Sequence, residues 1–152
     1  MILACTPAPR YKSGHQKPAT NKSTKSKKVK FIPVTKAPTL AEFDTSKKVY
    51  TGVSSYYGKD FHGKLTANGE IFDMYGETAA HKTMPLNTVA RVTNLVNNKS
   101  LILRINDRGP YVAGRMLDCS YGAAKKLDFL NTGTTEVKIE VIEWGDNKYM
   151  HH

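Results

Sequence analysis

With 152 residues and a formal net charge of +10, the chain has room for one modest domain and an additional segment. The charge sits almost wholly in residues 1–48, where eleven Lys and Arg face two acids (+9), while residues 49–152 hold twelve against eleven (+1). A domain so close to neutral excludes a nucleic-acid surface built on net charge, and two widely spaced cysteines exclude a disulfide framework.

The chain opens with Met-Ile-Leu-Ala-Cys. Apolar residues, a small residue and then a cysteine match the end of a bacterial lipoprotein signal, which makes Cys5 a candidate lipid attachment site. The longer apolar stretch of such a signal would lie upstream of the four residues that precede it. Residues 6–48 hold five of the seven prolines and are rich in Lys, Ser and Thr. Such a segment buries too little apolar surface to offset its ordering entropy and is expected to form a disordered basic tether, drawn to anionic polymers or lipid head groups.

The pattern changes at Val49. "VYTGVSSYYG" (49–58) has the Val, Thr and Tyr of a strand. "FHGKLTANGEIFDM" (61–74) and "TAAHKTMPLN" (78–87) are polar and turn-rich. "TVARVTNLVNNKSLILRIND" (88–107) predicts a hairpin, with Asn97 and Asn98 able to take the left-handed turn conformation. "GRMLD" (114–118) leads into one helix that either Asp118 or Ser120 can cap, with Ala123, Ala124 and Leu127 as its apolar stripe and Lys125 and Lys126 facing out. Cys119 is expected to be a buried small apolar group. "EVKIEVIEW" (136–144) alternates as a last strand, and residues 147–152 form a short tail. Many short strands with one helix predict a mainly β barrel over residues 49–146.

Polar groups gather at the strand ends and turns: Glu70, Asp73, His81, Asp107, Arg108 and Asp118. Each has an ordinary structural reading: a turn acid, a core histidine, a surface ion pair, a helix cap. His62, His81, Glu70 and Asp73 lack the spacing of two His on one helical turn, so no metal is expected. There is no serine nucleophile elbow and no phosphate-cradling glycine loop. Carboxylate chemistry remains, and it suits glycosidic cleavage, where an acid must protonate the departing oxygen.

"SYYGKDFHGKLTANGEIFDM", "TAAHKTMPLNTVARVTNL", "LRINDRGPY" and "DCSYGAAKKL" together resemble the rare lipoprotein A family of bacteria in order and spacing over about residues 50–144. That resemblance implies a six-stranded double-psi β-barrel with one or two short helices. It also implies an endolytic lytic transglycosylase that cuts β-1,4 bonds between N-acetylmuramic acid and N-acetylglucosamine in peptidoglycan, prefers strands lacking stem peptides and leaves 1,6-anhydro ends. The alternative on the same barrel is a non-catalytic, expansin-like wall-loosening module. Asp107 matches the family's catalytic aspartate, and Glu70 and His81 match its other activity-linked positions. Asp73, Arg108, Asn106, Tyr57 and His62 are the expected supporting or substrate-binding residues. Asp107 is expected to carry its proton, with an ionised Glu70 beside it. His81 is expected to orient a carboxylate or bind substrate, and Arg108 to turn away toward a sugar or a lactyl carboxylate. No cofactor and no nucleic acid is expected. The partners implied are glycan strands and a membrane reached through Cys5, for a monomer in the bacterial cell envelope.

Overall fold

The computed structural model describes residues 43–150; Cys5 and nearly all of the basic tether lie outside them. Six strands, β1 (Val49–Tyr57), β2 (Thr78–His81), β3 (Val89–Asn94), β4 (Ser100–Asp107), β5 (Arg115–Ser120) and β6 (Thr135–Glu143), close into a barrel in the order β1-β5-β2-β4-β3-β6. Closure leaves no unpaired sheet edge. Two parallel pairs, β1 with β5 and β2 with β4, sit among antiparallel ones. The expected six-stranded double-psi β-barrel is thus observed, with one short helix, α1 (Tyr121–Lys126).

Alternation fills the interior. Ala79 on β2 lies opposite Ile105 of β4 and Cys119 of β5, and all three are fully buried. They join Val92, Leu117, Val137, Ile139 and Phe129 in one core. The thiol of Cys119 is an inert apolar filler, since burial pushes its pKa up to about 12. α1 is too short to hold itself. Ser120 caps it by accepting from the Ala123 N–H at 3.1 Å, and Leu127, just past its end, is fully buried, worth about 2 kcal/mol. A side chain at Gly122 would strike the backbone of Tyr75, so this glycine lets the 61–75 loop lie directly on the helix start. The hairpin turns as expected, with Asn98 in the left-handed region (φ 60°).

Two strands, β2 and β5, were not legible as strands. "TAAH" has little β propensity, and "RMLDCS" runs straight into the helix it precedes. Both are paired on each side in the closed barrel, so tertiary context decides. Among the described residues no helix is long and apolar enough to cross a membrane.

Candidate active site

Register builds the site. In the β2–β4 pairing Ala79 faces Ile105 but Ala80 faces Asp107, so Asn106 is passed over and β4 bulges. In the β1–β5 pairing Val53 faces Arg115 and Ser54 faces Leu117, so Met116 is passed over as well. A one-residue bulge moves every later side chain to the other face. The result is a row across four neighbouring strands: Ser55 on β1, Asp118 on β5, Ala80 on β2 and Asp107 on β4. Two carboxylates therefore flank one alanine on the same side of the sheet. Two strand spacings of about 4.8 Å separate their backbones. Both line a cavity of about 350 Å³ with Tyr57, Pro110, Tyr111 and Arg115.

Asp107, half-buried at the end of β4, is oriented through one oxygen. Its Oδ1 accepts from the N–H groups of Ala67 (2.9 Å) and Arg108 (2.8 Å). Among the described residues its Oδ2 accepts no hydrogen bond of good geometry. Asp118 accepts from the Ser55 hydroxyl and, at 3.4 Å, from Arg115. Between them, Tyr57 stacks on Phe72 with centroids 4.5 Å apart. Its buried hydroxyl approaches Asp107 without meeting hydrogen-bond geometry. Burial, and then the charges of Asp107 and Asp118, push its pKa up, so it stays a neutral phenol.

Glu70 stands elsewhere. Its carboxylate is held by a two-pronged ion pair with Arg104 (2.6 and 3.0 Å) and by Asn106 Nδ2 (2.9 Å). Burial alone would raise its pKa, but these hydrogen bonds and the Arg104 charge outweigh it and hold the group below its ordinary value. It lines a separate depression with Arg104, Asn87 and Trp144. Glu70 and Asp107 thus line different cavities, while Asp107 and Asp118 line the same one. Glu70 reaches Asp107 indirectly, because the 66–70 turn that carries it also supplies the Ala67 N–H. That turn is fastened to the strand end by Asn68 N–H donating to the Asn106 carbonyl at 3.1 Å. Gly69 (φ +88°) has no room for a side chain, because Tyr149 and the Met150 carbonyl lie on it.

His81 is 7% exposed, and its Nδ1 accepts from the backbone N–H groups of Thr83 (3.2 Å) and Met84 (2.9 Å). Nδ1 is therefore unprotonated. Burial, helped by the charges of Arg108 and Lys82, lowers its pKa to about 4. It touches neither carboxylate by hydrogen bond and secures the turn after β2. Arg108 does turn away from Asp107, but toward protein rather than solvent. It donates to the carbonyls of His81 (3.2 Å) and Met84 (2.7 Å) and to Asn147 Oδ1 (3.2 Å). Arg108 also lines the cavity that holds Asp107 and Asp118, and its buried Nε has no hydrogen-bond partner among the described residues.

Asn106, 2% exposed, ties Glu70 to the bulge instead of lining the cavity. Asp73 and His62 occupy exposed positions of the 61–75 loop, 3.9 Å apart, where each accepts from a backbone N–H of the loop. Among the described residues no three His, Cys, Asp or Glu groups gather closely enough to hold a metal. Sequence reasoning left Asp118 as a possible helix cap. Alternation in "RMLDCS", with Leu117 and Cys119 inward, is the signal that turns it outward.

Residues 49–139 match the model of a family described as lytic transglycolase. Over 92 residues the chain is 58% identical to an endolytic peptidoglycan transglycosylase RlpA of Pseudomonas aeruginosa. That match takes in 60% of this chain and 27% of the other, so the chain spans about a quarter of that relative's length. Among solved structures it is similar to a Streptomyces papain inhibitor, with a TM-score of 0.52 at 20% identity over 63% of this chain and 96% of that one. It is similar also to an expansin of Clavibacter michiganensis, with a TM-score of 0.51 at 14% identity over 62% of this chain and 50% of the other. At such identities the likeness is one of fold, and an inhibitor and an expansin can share it.

Proposed function

Since the chain belongs to the lytic transglycolase family, we propose that it is an endolytic lytic transglycosylase of peptidoglycan, cutting the β-1,4 bond between N-acetylmuramic acid and N-acetylglucosamine in strands that lack stem peptides. The observation that carries this reading is the pair of carboxyl groups, Asp107 and Asp118, facing one cavity across Ala80. Asp107 enters the reaction protonated on Oδ2, the oxygen that the backbone leaves unoccupied. It passes this proton to the glycosidic oxygen as the bond from C1 breaks. The muramyl C6 hydroxyl then attacks C1, and its proton returns to Asp107. The bond lost and the bond formed lie within the glycan, no water is consumed, and one carboxyl serves in both directions.

Asp118, held by Ser55 and Arg115, supplies negative charge opposite the acid while C1 is positive. The neutral Tyr57 phenol walls the space between them. Glu70 and His81 are positioning residues. Glu70 fixes the turn whose Ala67 N–H aims Asp107, and His81 fixes the turn whose carbonyls receive Arg108. The protein acts in the bacterial cell envelope, lipid-anchored through Cys5, with glycan strands as its partner.

The test is product chemistry. Amidase-stripped glycan incubated with the protein should release fragments whose muramyl ends are lighter by one water than hydrolysis gives, and Asp107→Asn should abolish them. Reducing ends would make the protein a hydrolase. Retention on glycan without any soluble product would make it a binding module.

A further inference from the structure

A second depression, of about 910 Å³, neighbours the acid cavity and shares Tyr56 and Tyr57 of its lining. It differs from that cavity in chemistry. Tyr75 and Tyr121 form its walls, edge to face at 6.1 Å, with Tyr56 against Tyr121 at 6.3 Å. Around its rim stand Lys59, Lys125 and Lys126, all exposed, and no carboxylate lines it. Lys126 is paired with Glu77, whereas Lys59 and Lys125 make no ion pair among the described residues. His62 rests edge-on against Tyr75 at 6.0 Å, so the 61–75 loop supports this wall. An open aromatic trough suits the flat apolar face of a pyranose ring, and a cationic rim suits an anion attached to that ring.

We infer that this trough is a glycan subsite in which Lys59 and Lys125 read the free lactyl carboxylate of a muramyl residue neighbouring the one being cleaved. The inference rests on the peptidoglycan reading above and gives a physical source for its substrate preference. In a strand stripped of peptides, each lactyl group ends in a carboxylate. In a strand that keeps them, the same carbon is an uncharged amide with a bulky substituent. Arg108 and Arg115 line the acid cavity and not this trough, and each already donates to protein acceptors. The two unpaired lysines remain, on the β1–loop junction and on the outer face of α1.

The experiment compares two preparations of the same amidase-stripped strands, one with free lactyl carboxylates and one with these converted to methylamides. The wild-type kcat/KM for release of anhydro ends should be about tenfold higher on the free carboxylates, the size expected of two exposed charge pairs, with the difference in KM. In a Lys59→Gln/Lys125→Gln protein that ratio should fall to near one, and in Lys59→Arg/Lys125→Arg it should persist. A ratio near one in the wild type, or a ratio unchanged in the Gln protein, overturns the inference while the cleavage reaction stands. Tyrosine fluorescence titration with both strand preparations, on the Asp107→Asn protein, separates the two readings further. Charge-selective binding lost with Lys59 and Lys125, in a protein whose wild type releases no product, would keep the subsite and remove the transglycosylase. Equal binding of both preparations would remove the subsite.

Discussion

Strand β4 carries two acidic environments within four residues, and they are opposites. At Arg104 and Asn106 it closes around Glu70, whose two oxygens receive three donors. At Asp107 it opens, leaving one oxygen aligned by two backbone N–H groups and the other facing a cavity. A carboxylate saturated by a guanidinium is a strut, because moving its charge or protonating it would sacrifice strong, charge-assisted bonds. A carboxyl oriented by neutral backbone donors on one side keeps the other free to exchange a proton. The lesson is that activity-linked acids need not share a role, and partner count separates them.

Three changes sharpen or break that contrast. The largest effect is expected at Asp118. Asp118→Asn should leave the fold intact and lower kcat by about a hundredfold, the scale of losing one aligned electrostatic group, read by the rate of anhydro-end release. Glu70→Gln should act on both levels. With Arg104 left half-satisfied, stability should fall by about 2 kcal/mol in denaturant unfolding. With the Ala67 turn loosened, kcat should fall by about tenfold at nearly constant KM, since small misplacements are costly. If Glu70→Gln cost more activity than Asp118→Asn, the contrast between strut and reactive pair would be reversed.

The third effect is a pH slope in stability, with no change in activity expected at neutral pH. The folded protein keeps His81 neutral down to about pH 4, whereas the unfolded chain takes up that proton near 6.5. The stability this contributes is complete above about pH 6.5 and is lost as the pH falls from there toward 4, by about 3 kcal/mol at most. His81→Asn, which retains an acceptor for the Thr83 and Met84 N–H groups, should flatten that limb in urea titrations between pH 4 and 7. An unchanged slope would place the acid sensitivity elsewhere.

Much of this was legible in the residues. Alternation in 49–57, 89–94, 100–107 and 135–143 marks four of the six strands, and "NDRGP" at a strand end marks Asp107. The other two strands lack that alternation or propensity and owe their state to long-range pairing alone. The partner of Asp107 was illegible for the same reason. Glu70 and Asp118 are equally plausible as letters, and only cross-strand register decides which one shares the cavity. His81 reads as a group that could orient a carboxylate, and only the fold shows the N–H groups of residues 83 and 84 occupying its Nδ1. The acceptors of Arg108, two carbonyls and an asparagine 39 positions away, are main-chain or remote and so are not legible in the local sequence.

The bulges at Asn106 and Met116 also set how this molecule tolerates change. Chemical identity at 107 and 118 is only half of the specification; the other half is a count of residues. Removing a single amino acid from either bulge would leave every acid in the chain yet rotate one of them inward against the hydrocarbon filling of the barrel. For this scaffold, shortening a strand by one is a more drastic edit than exchanging a side chain, and a homologous chain of different strand length cannot be aligned into function by its letters alone.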